Sequence, residues 1–136
     1  MGTWGTGPFD SDMAADFVEG LAGMSTDQVI EAMARAFQRV VDSGSRVDGG
    51  DGAEAIAAAA LIASQIPGSQ VEIDSDDGPA EPLPALPISL RPQAGRAIRR
   101  VLEVGSELAE GWVESAEAEE WRAMVQTITR TLGIAP

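Results

Sequence analysis

The stretch Ala53 to Ala63, AEAIAAAALIA, decides the fold. Its side chains are small and apolar, and small side chains let neighbouring helices approach closely. The preceding turn, Asp48-Gly-Gly-Asp-Gly52, predicts Asp51 as the N-cap, and Pro67-Gly68 predicts the end of the helix after Ile66. The predicted buried stripe is narrow and consists of Ile56, Ala59, Ala60 and Ala63. We therefore expect this helix at the centre of a bundle.

Two helices are predicted before this central one. The first runs from about Asp12 to Ala22 and ends at Gly23, with Met13, Phe17 and Leu21 on its inward face. The second follows Ser25-Thr-Asp-Gln28, the spacing of a capping box, in which each end residue satisfies a backbone amide of the other. It runs to about Asp42 and turns Arg35 and Arg39 to water. Its predicted inward residues are Val29, Met33, Ala36, Phe37 and Val40.

The chain returns to helical periodicity after a long interruption. Residues 67–92 hold six of the eight prolines and the acidic run Asp74-Ser-Asp-Asp77, which indicates a surface crossover, a partly disordered segment or a binding loop. Helices are then predicted at about 92–104, 107–114 and 117–132. The predicted inward residues are Ala94, Ala97, Ile98, Val101 and Leu102 in the first of these, and Trp121, Met124, Val125, Ile128 and Leu132 in the last.

The opening residues, MGTWGTGPFDSD, permit three interpretations. A phosphate loop needs a preceding strand and usually a lysine, and a myristoylated glycine normally needs a basic patch nearby. The favoured interpretation is a structural arm that buries Trp4 and Phe9 and supplies Asp10 or Ser11 as the first helix cap. Trp112 and Trp121 are predicted core anchors of the C-terminal helices.

These patterns predict an all-α fold. We expect residues 1–136 to form one compact bundle of five to six helices, with an N-terminal glycine and tryptophan arm and one long, proline-rich acidic loop.

Composition limits the chemistry. The chain has no cysteine, histidine, tyrosine or lysine, so an enzyme built on it would depend on carboxylates, hydroxyls and arginines. This favours a protein that is not an enzyme and has no cofactor. The net charge of −13 opposes direct binding to nucleic acid or anionic membranes. The absence of a signal peptide and of a long apolar run favours the cytoplasm.

Two groups of charged residues are candidate sites. Asp12 and Asp16 are four residues apart, so they share a helix face and are the candidates for a divalent metal, although helix capping and solvation are the favoured explanation of such acids. Arg96, Arg99 and Arg100 are the one basic concentration. They could hold a carboxylate ligand or partner, but pairing of Arg99 with Glu103 is the favoured interpretation.

The sequence resembles a known bacterial family. The opening MGTWGTGPFD, the alanine-rich run, Ser106-Glu-Leu with Trp112, and the Trp121-Arg pair are similar to the family called domain of unknown function 4259. The resemblance covers the whole chain, except that the proline-rich insert around residues 74–87 departs from the pattern. It implies a small, helical, cytosolic protein with no established activity, cofactor or catalytic residues.

Two functional hypotheses remain. The first is an acidic protein-interaction module, of immunity or antitoxin type, that masks a basic partner surface. The second is a small-ligand or metal-dependent module that uses the carboxylates near the first helix. A homodimer formed through exposed parts of the alanine-rich helix is a third, weaker interpretation.

Overall fold

The structure is a computed structural model that describes residues 12–43, 49–66, 69, 71, 84–102 and 116–133. Across these residues the secondary structure consists of five helices and no strand. The helices are α1 (Asp12–Gly20), α2 (Thr26–Val41), α3 (Gly49–Ser64), α4 (Leu90–Leu102) and α5 (Ala116–Thr131). The prediction of an all-α compact bundle is therefore confirmed. The opening arm, most of the proline-rich loop and the predicted helix at 107–114 lie outside the described residues.

Helix α3 is the centre of the bundle, and it contacts each of the other four helices. Every residue from Ala53 to Ala63 except Glu54 is buried. The prediction of a narrow buried stripe was therefore wrong, since neighbours cover the helix on all sides. Alanine makes this possible because its short side chain lets several helix backbones approach at once.

The predicted N-cap of α3 was also wrong. The helix begins at Gly49, so Asp51 lies in its first turn. A carboxylate in that position still interacts favourably with the positive end of the helix dipole.

Helix α2 has the buried face that its periodicity predicts, namely Val29, Met33, Ala36, Phe37 and Val40. A capping box starts the helix. Ser25 Oγ accepts a hydrogen bond from the Gln28 amide at 3.3 Å, and Gln28 Oε1 accepts one from the Ser25 amide at 2.9 Å. Two of the amides that a helix start leaves without partners are thereby satisfied.

The inward face of α1 differs from the prediction by a rotation of about one residue. Ala14, Val18 and Leu21 are buried, whereas Met13 is exposed and Phe17 is half-buried. Two apolar stripes overlap in this helix, and the one with smaller side chains faces α3, where the backbones are close. The helix ends at Gly20, two residues before the predicted end at Ala22, and Gly23, with a φ of 78°, lies in the turn that follows.

Helices α4 and α5 complete the bundle and contact each other as well as α3. Helix α4 begins two residues before the predicted start at Pro92, and Leu102, predicted to face inward, is 44% exposed. On α5 the residues Trp121, Val125 and Ile128 are buried, as is Leu132 just after the helix, and Met124 is partly buried.

The residues that lead into α4 are tied back to the end of α3 by one side chain. Gln65 Nε2 donates a hydrogen bond to the Pro84 carbonyl at 2.9 Å, and Gln65 Oε1 accepts one from the Leu86 amide at 2.9 Å. This amide clamp joins positions about twenty residues apart, and so it sets where the chain re-enters the bundle before α4.

Within the described ranges, none of the helices has both the length and the apolar character needed to cross a lipid bilayer.

Candidate functional site

Charge is divided unequally between two of the helices. Helix α1 carries three carboxylates and no basic residue, whereas α4 carries four arginines and no acidic residue. Both helices pack against α3, and in the described part of the chain they make no contact with each other. The bundle therefore presents an acidic helix and a basic helix on separate parts of its surface.

The acidic face of α1, which we define as Met13, Asp16 and Glu19, points to solvent. All three residues are exposed, and Met13 is 43% exposed. Their spacing places them on the side of the helix opposite its buried residues. Methionine is flexible and polarisable, and the neighbouring carboxylates attract cations. This face can therefore accept apolar and cationic groups together.

The metal hypothesis for this region rests on Asp12 and Asp16. Asp12 is the first residue of α1, and Asp16 lies one turn later and is exposed. Among the residues that the structure describes, no group of three or more histidine, cysteine or carboxylate side chains could hold a metal ion. Calcium takes six to eight oxygen ligands, so an ion held by this pair alone would keep most of its water.

Of the four predicted aromatic anchors, one lies within the residues that the structure describes. Trp121 is 4% exposed and belongs to the hydrophobic core. The other predicted anchors, Trp4, Phe9 and Trp112, lie outside the described residues, as do the predicted caps Asp10 and Ser11.

The homodimer hypothesis needed exposed parts of the alanine-rich helix. Each alanine between Ala53 and Ala63 is buried inside the chain itself. The surface on which that interpretation depended is therefore not available on α3.

The two arginines of α2 both lie beside carboxylates. Arg35 forms an exposed ion pair with Glu31, one turn earlier. Arg39 is exposed, as expected, and it also reaches across to α3, where its Nη1 atom lies 3.1 Å from Glu54 Oε2. That oxygen is buried and the pair does not meet hydrogen-bond geometry, so the contact is an ion pair.

The basic cluster on α4 is larger than the sequence analysis predicted. It includes Arg91, which was left in the loop because the helix was expected to begin at Pro92. Proline is tolerated in a first turn, where amides have no intrahelical partner, and α4 therefore begins earlier, at Leu90. The signal that sequence reasoning missed is the spacing of Arg91 from Arg96 and Arg99. Glu103, the predicted partner of Arg99, lies outside the described residues.

The fold and surface define the class to which the chain belongs: an acidic all-α bundle whose surface helices α1 and α4 carry opposite charge. A family model described as Domain of unknown function (DUF4259) matches residues 2–124, and the chain belongs to this family. The resemblance noted in the sequence is thereby confirmed at the level of the family. No curated protein and no solved structure matches the chain significantly.

Proposed function

We propose that this chain is a non-enzymatic, acidic protein-interaction module that binds a partner with a basic surface, as immunity proteins and antitoxins do, in the bacterial cytoplasm. The observation that carries the proposal is the acidic face of α1. There, Asp16 and Glu19 share the solvent side with the exposed Met13, and the helix has no basic residue to neutralise them.

Two physical effects support binding of a basic protein. The net charge of −13 attracts a cationic partner over about 10 Å at moderate salt and so speeds its association. Met13 supplies apolar area near the carboxylates. Burial of apolar groups lowers the dissociation rate, whereas exposed charges act mainly on the association rate.

The size of α1 indicates how far such an interface must extend. A helix of nine residues is about 13 Å long, whereas a stable interface buries about 800 Å² on each partner. The partner would therefore have to cover more than α1. The turn that follows the helix carries Met24, a second exposed methionine, and is the nearest surface along the chain.

The proposal is tested by capture of partners at low salt and reconstitution from purified components. The test variant is Asp16→Asn with Glu19→Gln on α1. The control is Asp27→Asn with Glu119→Gln, which changes the net charge equally at exposed positions on α2 and α5. The products of adjacent genes are the first partners to reconstitute.

We expect a 1:1 complex that the α1 variant weakens at least tenfold and the control weakens much less. Equal weakening by both variants would mean that net charge alone drives the association. The proposal is overturned if no protein binds specifically at low salt.

A further inference from the structure

A groove with a volume of about 600 Å³ lies between α4 and the end of α5. We call it the arginine groove. Arg91, Arg96 and Arg99 line its α4 side, and Leu132 and Gly133 line its α5 side. Sites for small molecules have volumes of roughly 300–1,000 Å³, so the groove has the size of a small-ligand site.

The spacing along α4 explains why the three arginines reach the same groove. Arg91, Gly95 and Arg99 lie at intervals of four residues and follow one ridge of the helix, while Pro92 and Arg96 form the adjoining ridge. The Cα atoms of Arg91 and Arg99 are separated by about 12 Å along the axis. Gly95 lies between them on this ridge and has no side chain, so the space between the two arginines stays open. Glycine inside a helix lowers the stability of the helix by about 1 kcal/mol relative to alanine.

The three groove arginines differ from those of α2 in their partners. Arg35 and Arg39 each pair with a carboxylate, but Arg91, Arg96 and Arg99 form no ion pair with any described residue. Arg91 also lies in the first turn of α4, where the helix dipole disfavours a cation, and that turn contains no acidic residue. Among the described residues these arginines are therefore a concentration of positive charge, in a chain whose net charge is −13.

The backbone at the start of α4 is already hydrogen-bonded. The amide of Leu90 donates to the Pro87 carbonyl at 3.2 Å, and that of Arg91 donates to the Ile88 carbonyl at 3.0 Å. Pro92 has no amide hydrogen. Contacts to an anion would therefore come from guanidinium groups, whose planar forks match carboxylate and phosphate oxygens.

Apolar surface accompanies these cations. Ile88, which is 71% exposed, lines the groove together with Pro92 and Leu132. Ligand sites commonly combine apolar walls with a few polar groups that orient the ligand. The lining thus suits a molecule with one charged end and one apolar part.

We propose that the arginine groove binds a small organic anion that carries a carboxylate or phosphate group beside an apolar body. A small ligand fits better than an acidic protein, because the net charge of the chain repels an extended acidic surface. A small anion in the groove lies well within the screening length of about 10 Å from all three cations. The inference is independent of the proposed function, since it concerns α4 and α5 and not α1.

Arginine side-chain NMR provides a direct test, because the chain has nine arginines and no lysine. The Nε–Hε signals are assigned with the single variants Arg91→Gln, Arg96→Gln and Arg99→Gln. The control is Arg122→Gln, at an exposed position on α5 outside the groove lining. The probes are phenyl phosphate, phenylacetate and inorganic phosphate, with phenylacetamide as the neutral analogue.

We expect phenyl phosphate or phenylacetate to shift the signals of Arg91, Arg96 and Arg99 saturably and to leave that of Arg122 unchanged. The stronger of the two probes identifies the preferred oxyanion. Arg96→Gln should weaken binding at least fivefold, whereas Arg122→Gln should change it less than twofold. Circular dichroism of each variant verifies that the fold is retained.

Four results would overturn the proposal. One is a linear shift of all nine arginine signals, which indicates unspecific ionic association. Another is equal binding of inorganic phosphate and phenyl phosphate, which would mean that the groove does not recognise the apolar part of the ligand. A third is tighter binding of a polyglutamate peptide than of either aromatic probe. The last is a set of signal shifts that depends only on the protein concentration. Such shifts would mean that a second copy of the protein occupies the arginine groove.

Discussion

Arg39 of α2 and Glu54 of α3 form an ion pair that links a surface helix to the buried helix of the bundle. The side chain of Glu54 is 14% exposed and that of Arg39 is 51% exposed, with 3.1 Å between Nη1 and Oε2. The carboxylate is thus largely withdrawn from water while the cation covers it from outside. A charge in such a position depends on its partners more than an exposed charge does.

Replacement of Arg39 should therefore destabilise the protein more than replacement of Arg35. We expect Arg39→Gln to lower the free energy of unfolding by about 1–2 kcal/mol, since a largely buried carboxylate loses the cation that lies 3.1 Å from it. Arg35→Gln breaks the exposed Glu31 pair on the same helix and should cost at most about 0.5 kcal/mol. Urea denaturation measures the free energy of unfolding of both variants. An equal decrease in the two would contradict a special role for the interhelical pair.

The interior of α3 should not tolerate larger side chains. Ala59 is completely buried, and a leucine there would have to displace neighbouring helices. We expect Ala59→Leu to cost about 3 kcal/mol or more, at or beyond the upper end of typical overpacking. The control is Ala123→Leu at an exposed position of α5, which should change stability by less than about 0.5 kcal/mol. Thermal unfolding distinguishes them, and a well-folded Ala59→Leu variant would show that the helices around α3 are loosely packed.

The capping box of α2 should contribute measurably to stability. Ser25→Ala removes the acceptor for the Gln28 amide and should cost about 1 kcal/mol. Ser25→Asp keeps an acceptor and places a negative charge at the helix start, so it should restore most of the loss. Chemical denaturation of the three proteins checks this, and failure of the aspartate to rescue would mean that the serine acts in some other way.

The Gln65 clamp should control the order of the segment before α4. Gln65→Ala removes both hydrogen bonds, and we expect the Leu86 amide to exchange with solvent at least tenfold faster. Gln65→Glu keeps an acceptor for that amide but loses the donor to the Pro84 carbonyl, so its effect should be smaller. Hydrogen exchange followed by NMR gives the rates.

A matched control for the clamp is Gln93→Ala. Gln93 donates to the Ser89 carbonyl and acts only over four residues. Its removal should leave the Leu86 exchange rate nearly unchanged. If both alanine variants accelerate exchange alike, Gln65 does not act as a specific clamp.

The relation between sequence and structure differs from helix to helix. For α2 the periodicity and the Ser25 to Gln28 spacing predicted both the start and the buried face, because caps and helical period act within a few residues. For α1 the sequence contains two overlapping apolar stripes. Local sequence cannot determine which stripe faces inward. Packing against the small side chains of α3 buries the stripe that contains Ala14 and Val18.

The basic cluster on α4 was also predicted only in part from the sequence. The sequence predicted Arg96, Arg99 and Arg100 as a concentration of positive charge, but the start of α4 was placed too late to include Arg91. The presence of Leu132 beside these residues could not be predicted, because it lies more than thirty residues further along the chain.

The sequence by itself determined that this protein is helical, acidic and restricted in its chemistry, and it determined the course of α2. These properties follow from composition, helical period and capping, which are local. The tertiary structure alone decided that α3 is buried from Ala53 to Ala63 except at Glu54, and which stripe of α1 faces inward. It also decided that three arginines line the same groove as the residues at the end of α5. Those features depend on contacts between helices that are distant in the chain, and such contacts exist only once the bundle is assembled.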